Sequence, residues 1–214
     1  MTGVLFDLDG TLLNTLDDLA DSTNYALASF GYPQRSIEEV RRFVGNGAAL
    51  LIARAVPENA DPAPVLEAFR AHYQENCQNK TGPYPGIPEA LAKLTCPMAI
   101  VSNKPDNAVR ALCAHYFPGI YALGESPDCP RKPAPDMVKK AMAAIGVDRC
   151  VYVGDSEVDV LTAKNAGVPC LSVLWGFRDR EEISGTHFCE KPEDLPEILD
   201  SLLNMLKNQQ MIVS

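Results

Sequence analysis

The sequence is poor in the groups that build zinc and thiol sites. It has three histidines, and its seven cysteines (Cys77, Cys96, Cys113, Cys129, Cys150, Cys170, Cys189) include no C-x-x-C pair. Structural zinc needs clustered ligands, so a zinc site or a catalytic thiol is disfavoured, and the cysteines read as reduced thiols of a cytoplasmic protein, several of them in the core. Positive charge is scarce too: 19 Lys and Arg against 28 Asp and Glu leave a formal charge of -9. Such a chain is not built to neutralise nucleic-acid phosphates or an anionic membrane, and a small anionic substrate would need a local patch of positive charge. No apolar run approaches the roughly 20 residues that cross a bilayer. The N-terminus lacks the basic region of a secretory signal. Low-complexity stretches and internal repeats are also missing, and the length allows one large domain or a medium one carrying an insertion. Oligomeric state leaves no mark in the sequence.

What is present is a set of short apolar runs: Val4-Leu5-Phe6-Asp7-Leu8, Met98-Ala99-Ile100-Val101, Val151-Tyr152-Val153 and Cys170-Leu171-Ser172-Val173-Leu174. Nearly continuous apolar strands imply a parallel sheet covered on both faces. Helical patterns lie between them, one with Ala108, Leu112 and Tyr116 on a face and the next with Met137, Ala141 and Ala144. Alternating strand and helix predict an α/β fold with a Rossmann-like parallel sheet. The interval 14–82 differs, being helical throughout. Leu16, Leu19, Ala20, Ala26, Leu27 and Phe30 make one stripe, Ser36 and Glu39 a capping box, and Val65, Leu66, Phe69 and Tyr73 another stripe. This predicts an inserted α-helical cap at 14–82, with 1–13 and 83–214 forming the core. Pro83 to Pro88, rich in turn residues, and Asn14-Thr15 would be the two strands of a hinge.

Asp7-Leu8-Asp9-Gly10-Thr11 brings two carboxylates to one strand tip, where Gly10 lets the chain turn away. A calcium loop fails because Thr11 and Leu12 stand where such a loop needs other residues. Ligands of doubly wound sheets bind beyond the carboxyl ends of the strands. Ser102-Asn103-Lys104 ends the second run, Gly154-Asp155-Ser156 ends the third with Asp159 four residues on, and Arg131-Lys132-Pro133 places a cation before a helix. Each motif alone is an ordinary turn. Together they supply hard oxygen donors for a metal ion, small hydrogen-bond donors and a lysine, which suits phosphoryl transfer to a carboxylate.

With the four motifs in order, the chain resembles the haloacid dehalogenase-like hydrolase superfamily, in its branch with a helical cap after the first motif. The resemblance implies that Asp7 is the nucleophile that forms an aspartyl-phosphate and that Asp9 is the acid and base, with a pKa that cycles near neutrality. It implies Mg2+ held by Asp7, the Asp9 backbone carbonyl and Asp155, with Asp159 as ligand or support. Ser102 and Asn103, with Thr11, would hold the phosphate, and Lys132 would offset the charge on Asp7. Asp9 also favours phosphate esters over halides, because an alkoxide needs a proton to leave and a halide does not.

Within that superfamily, Arg42-Phe43-Val44-Gly45-Asn46-Gly47, Tyr84-Pro85-Gly86-Ile87 and Ser102-Asn103-Lys104-Pro105 look like phosphoglycolate phosphatases. The Gly45-Asn46-Gly47 turn either dips into the site with exposed amides or is a plain interhelical turn. A helix starting near Gly47 would suit a substrate carboxylate, and Arg42 is the candidate cation for it. Asn14 departs from the family, whose members often carry Asp there. A phosphosugar mutase is a weaker reading, since no histidine occurs between Thr15 and Phe30. A broad phosphatase for nucleotides, sugar phosphates or pyrophosphate remains open. A catalytically dead binding protein is opposed by the intact Asp7.

Overall fold

A computed structural model describes residues 1–213, with side chains through Asn208. Strand β1 (Thr2–Phe6) sits inside the sheet because both of its faces are apolar, Val4 and Phe6 on one and Leu5 on the other, all fully buried. It is followed by β2 (Leu13–Asn14), α1 (Leu16–Ser29), α2 (Ile37–Phe43), α3 (Ala48–Ala55), α4 (Pro62–Asn76) and β3 (Gly82–Pro83). The chain then runs α5 (Ile87–Ala92), β4 (Met98–Pro105), α6 (Asp106–Tyr116), β5 (Tyr121–Glu125), α7 (Asp136–Ala144), β6 (Arg149–Gly154), α8 (Glu157–Ala166), β7 (Cys170–Val173), β8 (His187–Cys189) and α9 (Leu195–Val213).

Six strands form one sheet in the order β5-β4-β1-β6-β7-β8, every pairing parallel. The period-two alternation of each strand sorts its side chains between two layers. Val4, Phe6, Ile100, Val151 and Leu171 pack with α5, α6 and α9, whereas Leu5, Ala99, Val101 and Tyr152 pack with α7 and α8. This is the Rossmann-like α/β core expected from the sequence. Strands β5 and β8, which the apolar runs did not reveal, are the two edges, where half-buried residues suffice. In α6 the buried set is Val109, Leu112 and Cys113, while Ala108 faces a cavity and the Tyr116 hydroxyl donates to the Thr81 carbonyl at 2.6 Å. Among the described residues no helix is long and apolar enough to cross a membrane. All seven cysteines are free.

Helices α1 to α4 pack on one another above the sheet edge, α1 chiefly on α4. Leu19, Leu27, Val40, Ile52, Val65 and Phe69 fill their interior. Burial of each such side chain is worth about 1.5–3 kcal/mol. The predicted capping box opens α2: Ser36 Oγ accepts from Glu39 N at 3.2 Å, and Ser36 N donates to Glu39 at 2.8 Å. The segment leaves and returns through a two-stranded antiparallel ribbon, with Leu13 opposite Pro83 and Asn14 opposite Gly82.

Candidate active site

Strand order reverses between β1 and β6, and a crevice opens at the carboxyl ends of strands where that happens. Asp7 directly follows β1 and Asp155 directly follows β6. A cavity of about 660 Å³ lies there, lined on its core side by Asp7, Asp9, Ser102, Asn103, Lys104, Lys132 and Asp155, and on the other side by residues of the helical segment.

The floor carries a dense cluster of charge. Lys132 Nζ lies 2.8 Å from Asp7 Oδ1 and 2.8 Å from Asp159 Oδ1, and 3.2 Å from the Tyr152 hydroxyl. Asp7 Oδ1 also accepts from Leu8 N at 2.7 Å. Both Asp159 oxygens are engaged, Oδ1 by Lys132 and the Tyr152 hydroxyl and Oδ2 by the backbone N–H and hydroxyl of Ser156. Asp155 accepts from Phe177 N at 2.7 Å and from the Thr11 hydroxyl at 3.3 Å. The chain can come so close because Gly10, at φ 86°, has no Cβ; one would collide with the Asp155 carboxylate.

Asp7, Asp155 and Asp159 each offer an oxygen within 4.8 Å of the others, all three residues are buried, and the single lysine among them cannot balance their charge. Burial, opposed by Lys132, pushes the Asp7 carboxyl well up, with the charges of Asp159 and Asp155 adding to the rise. Burial and then the Asp159 charge push Asp155 up to about 7. Excess buried negative charge on hard oxygen donors is the environment a divalent cation relieves, so the residues present fit a hard divalent metal ion.

Asp9 belongs to a separate pair. It accepts from Lys104 Nζ at 2.7 Å, from the Thr15 hydroxyl at 2.6 Å and from the Ser102 hydroxyl at 3.3 Å. Burial would raise its carboxyl, but the charge and hydrogen bond of Lys104, with the Thr15 hydroxyl, outweigh that and hold it below the ordinary carboxylate value. The expected cycling near neutrality is therefore not the resting state. Lys104 is 7% exposed and stays charged because Asp9 overcomes its desolvation. Lys104 lies two residues beyond Ser102 on the same strand, where side chains share a face, and that spacing is the signal in the sequence that places it at the site.

Other candidates fall in different places. The Asn103 amide brackets the Lys132 backbone, donating to its carbonyl at 3.0 Å and accepting from its N–H at 2.7 Å, with a longer contact to the Gly45 carbonyl at 3.4 Å. Thr11 is fully buried and turned to Asp155, away from the cavity. Gly45 and Gly47 line the cavity, and Asn46 contributes its carbonyl to Arg131 Nη1 at 3.2 Å, so the turn rests on the core. Gly47, at φ 83°, abuts the Asn103 carbonyl and the Arg131 guanidinium.

Arg42 is exposed and does not line the cavity. Val40 is the buried side of α2, and two residues of helix turn Arg42 through about 200° to the opposite side. Two other arginines line the cavity, Arg70 of α4 and Arg178 in the loop between β7 and β8, and Arg178 is the buried one. It donates to the Val44 carbonyl at 2.6 Å and the Arg41 carbonyl at 2.9 Å, covering the end of α2, and pairs with Glu157 at 3.4 Å. No motif flagged it, because its partners are main-chain atoms about 135 residues away.

The sequence profile of the family described as Haloacid dehalogenase-like hydrolase matches residues 4–173. A protein of Pseudomonas syringae pv. tomato named Phosphoglycolate phosphatase is 33% identical over 218 residues, covering 94% of this chain and 80% of its own. A protein of the same name from Mesorhizobium japonicum is 36% identical over 193 residues, covering 83% and 84%. A crystal structure from Lactobacillus delbrueckii subsp. bulgaricus, provisionally assigned as a phosphoglycolate phosphatase, superposes with a TM-score of 0.88 at 35% identity, over 92% of this chain and 97% of the other. The match spans β1 through β7 and thus every segment that carries the buried carboxylates and lysines of the site, and the chain belongs to the haloacid dehalogenase-like hydrolase family as one of its phosphatases.

Proposed function

We propose that this chain hydrolyses small phosphomonoesters through an aspartyl-phosphate on Asp7, with 2-phosphoglycolate as its substrate, in a core of residues 1–13 and 83–214 beneath a cap of residues 14–82. The observation that carries the reading is the pair of acid–lysine contacts at one cavity, Asp7 with Lys132 and Asp9 with Lys104. The names of the relatives support the substrate.

An Asp7 oxygen attacks phosphorus, and the bond from phosphorus to the ester oxygen breaks. Asp9, held low by Lys104, takes up a proton from solvent as substrate binds and gives it to that oxygen. In the second half Asp9, now ionised as its lowered carboxyl favours, takes a proton from water as the water attacks phosphorus, the bond from phosphorus to Asp7 breaks, and inorganic phosphate leaves with the Asp7 carboxylate restored. Lys132 holds Asp7 and balances the transferring phosphoryl oxygens, kept in place by Asp159 and by the Asn103 amide. The Ser102 hydroxyl stands ready to donate to phosphate. Asp7, Asp155 and the Asp9 backbone carbonyl would hold Mg2+, with Asp159, which anchors Lys132, behind them. When bound, the ion neutralises charge on the phosphoryl oxygens. Thr11 then acts by orienting Asp155.

The test is phosphate release from a panel of small esters with and without Mg2+, with Asp7→Asn as the blank. Wild type should turn over 2-phosphoglycolate, and the variant should lose about 10³-fold or more. Equal rates in the two proteins would reject the mechanism. A cavity of about 660 Å³ is larger than that substrate needs, which favours as second reading a broader range of phosphate esters.

A further inference from the structure

Four cationic side chains line the cavity: Arg70, Lys104, Lys132 and Arg178. Lys132 is shared among Asp7, Asp159 and Tyr152. Arg178 is spent on two carbonyls and Glu157. Arg70 is 51% exposed and paired with Glu67 on its own helix. Lys104 alone combines a side chain only 6% exposed with a single carboxylate partner, and an ammonium has three donors.

Beside it lies Tyr73 of α4, whose ring sits 4.8 Å from Lys104 Nζ. Tyr73 is 6% exposed, and its hydroxyl makes no well-formed hydrogen bond; the polar group it interacts with is the Lys104 ammonium, which leaves the hydroxyl proton without an acceptor. Three other described side chains also lack a well-formed hydrogen bond, Thr23, Thr81 and Ser172, but only Tyr73 lines the cavity. A buried hydroxyl whose proton has no acceptor is costly, and Tyr73 is a cavity-lining residue whose neighbour Lys104, an ammonium, can only donate. The cavity lining includes the apolar Leu19, Leu51, Phe69, Ala108 and Ala111 as well as the polar Gln74, Gln78 and Asn107, and both Lys104 and Tyr73 are buried, so a charge-assisted contact at the pair is strengthened.

We infer that Lys104 and Tyr73 form the subsite for the carboxylate of a phosphorylated 2-hydroxy acid. The inference rests on the phosphatase reading in which Asp9 faces the ester oxygen. In such an ester the carboxyl carbon is two bonds from that oxygen. A substrate placing its ester oxygen on Asp9 therefore sets its carboxylate against the cation that Asp9 holds. A carboxylate one methylene farther away overshoots the pair, and a neutral hydroxyl in its place leaves Lys104 without its second acceptor. The subsite draws one residue from β4 and one from α4, so specificity is completed only where the helical segment meets the core.

The test compares kcat and KM for 2-phosphoglycolate, its homologue with one more methylene, and 2-hydroxyethyl phosphate, for wild type, Tyr73→Phe, Lys104→Gln and Lys104→Arg. Wild type should favour 2-phosphoglycolate over 2-hydroxyethyl phosphate by about 100-fold in kcat/KM, the scale of hydrogen bonds to a buried charge. Tyr73→Phe keeps the ring over Lys104, and the preference should shrink about 10-fold, mostly through KM. Lys104→Gln should abolish the preference and Lys104→Arg restore part of it. A wild type that hydrolyses both esters without preference, or a Tyr73→Phe protein with the full wild-type preference, overturns the subsite and leaves the phosphatase reading intact. Absence of phosphate release from every ester would sink that reading and the subsite with it.

Discussion

Replacing Asp155 by Asn should make the metal-free protein more stable, while destroying its response to Mg2+. Asp155 is 2% exposed, and its carboxyl is pushed from the ordinary 3.8 to about 7, by burial first and by the Asp159 charge second. The folded state then binds the proton more tightly than the unfolded chain, so stability falls as pH rises from about 4 to about 7 and is fully depressed above that. At about 1.36 kcal/mol per pH unit, the penalty on the ionised form is roughly 4 kcal/mol at pH 8 and about 1 kcal/mol at pH 4.5. Asn fits the site: its carbonyl oxygen can accept from Phe177 N, and its amide can donate to the Thr11 oxygen, whose hydroxyl rotates. Net gains of about 2–4 kcal/mol at pH 8 with chelator follow, equivalent to about 1 M in urea midpoint. Trp175, whose indole donates to the Thr11 carbonyl at 3.0 Å, is the chain's one tryptophan and reports unfolding beside the site. With Mg2+ at 100 times its dissociation constant, wild type should gain about 2.7 kcal/mol and the variant almost nothing. A variant less stable than wild type at pH 8 in chelator, or a gain as large at pH 4.5 as at pH 8, would refute the reasoning.

Three further outcomes are expected. Asp9→Asn should cut kcat on alkyl phosphates by about 10²–10⁴ and much less on an aryl phosphate whose leaving group needs no proton, as steady-state assays on both esters will show. Arg178→Ala strips the charged donor from the Val44 and Arg41 carbonyls, so amides of α2 and α3 should exchange with deuterium faster and KM should rise; unchanged exchange would count against the clamp. Leu27→Ala, at a fully buried position of α1, should cost about 2–5 kcal/mol in chemical denaturation.

The parts of the fold that showed in the sequence were those buried on both sides. β1, β4, β6 and β7 read as apolar runs because helices cover both of their faces, and the Ser36–Glu39 box was visible because it is local. β5 and β8 did not show, since an edge strand needs no continuous apolar run. The same distinction holds at the site. Asp7, Asp9, Lys132 and Asp155 stand at strand ends or in short recognisable motifs. Arg178 and Tyr73 come from a loop and a helix whose relevance depends on long-range packing, and in the sequence Tyr73 is one member of an apolar helical stripe. Arg42 illustrates the converse: the residue type was right for an anion, but the phase of α2, set by Val40, turns it to solvent. Lys104 was quoted within a motif, yet its partner Asp9 is 95 positions away, and no local spacing announces that contact.

The ribbon of β2 and β3 has a consequence for how such a chain can change. Asn14 and Gly82 face each other across the ladder, so the helical segment starts and stops at a single place on the sheet. Its length and sequence can therefore vary without altering the register of any of the six parallel strands or the spacing of Asp7, Lys132 and Asp155. Replacement of the whole segment by a tight turn from one ribbon strand to the other is a geometrically closed edit, as insertions joined at neighbouring termini generally are. A shortened chain of this kind would keep its carboxylates and lysines but lose Tyr73 and the walls over them, leaving Asp7 open to phosphate groups carried on large molecules. The ribbon is thus the place where one scaffold can be exchanged between an enzyme for metabolites and an enzyme for macromolecules.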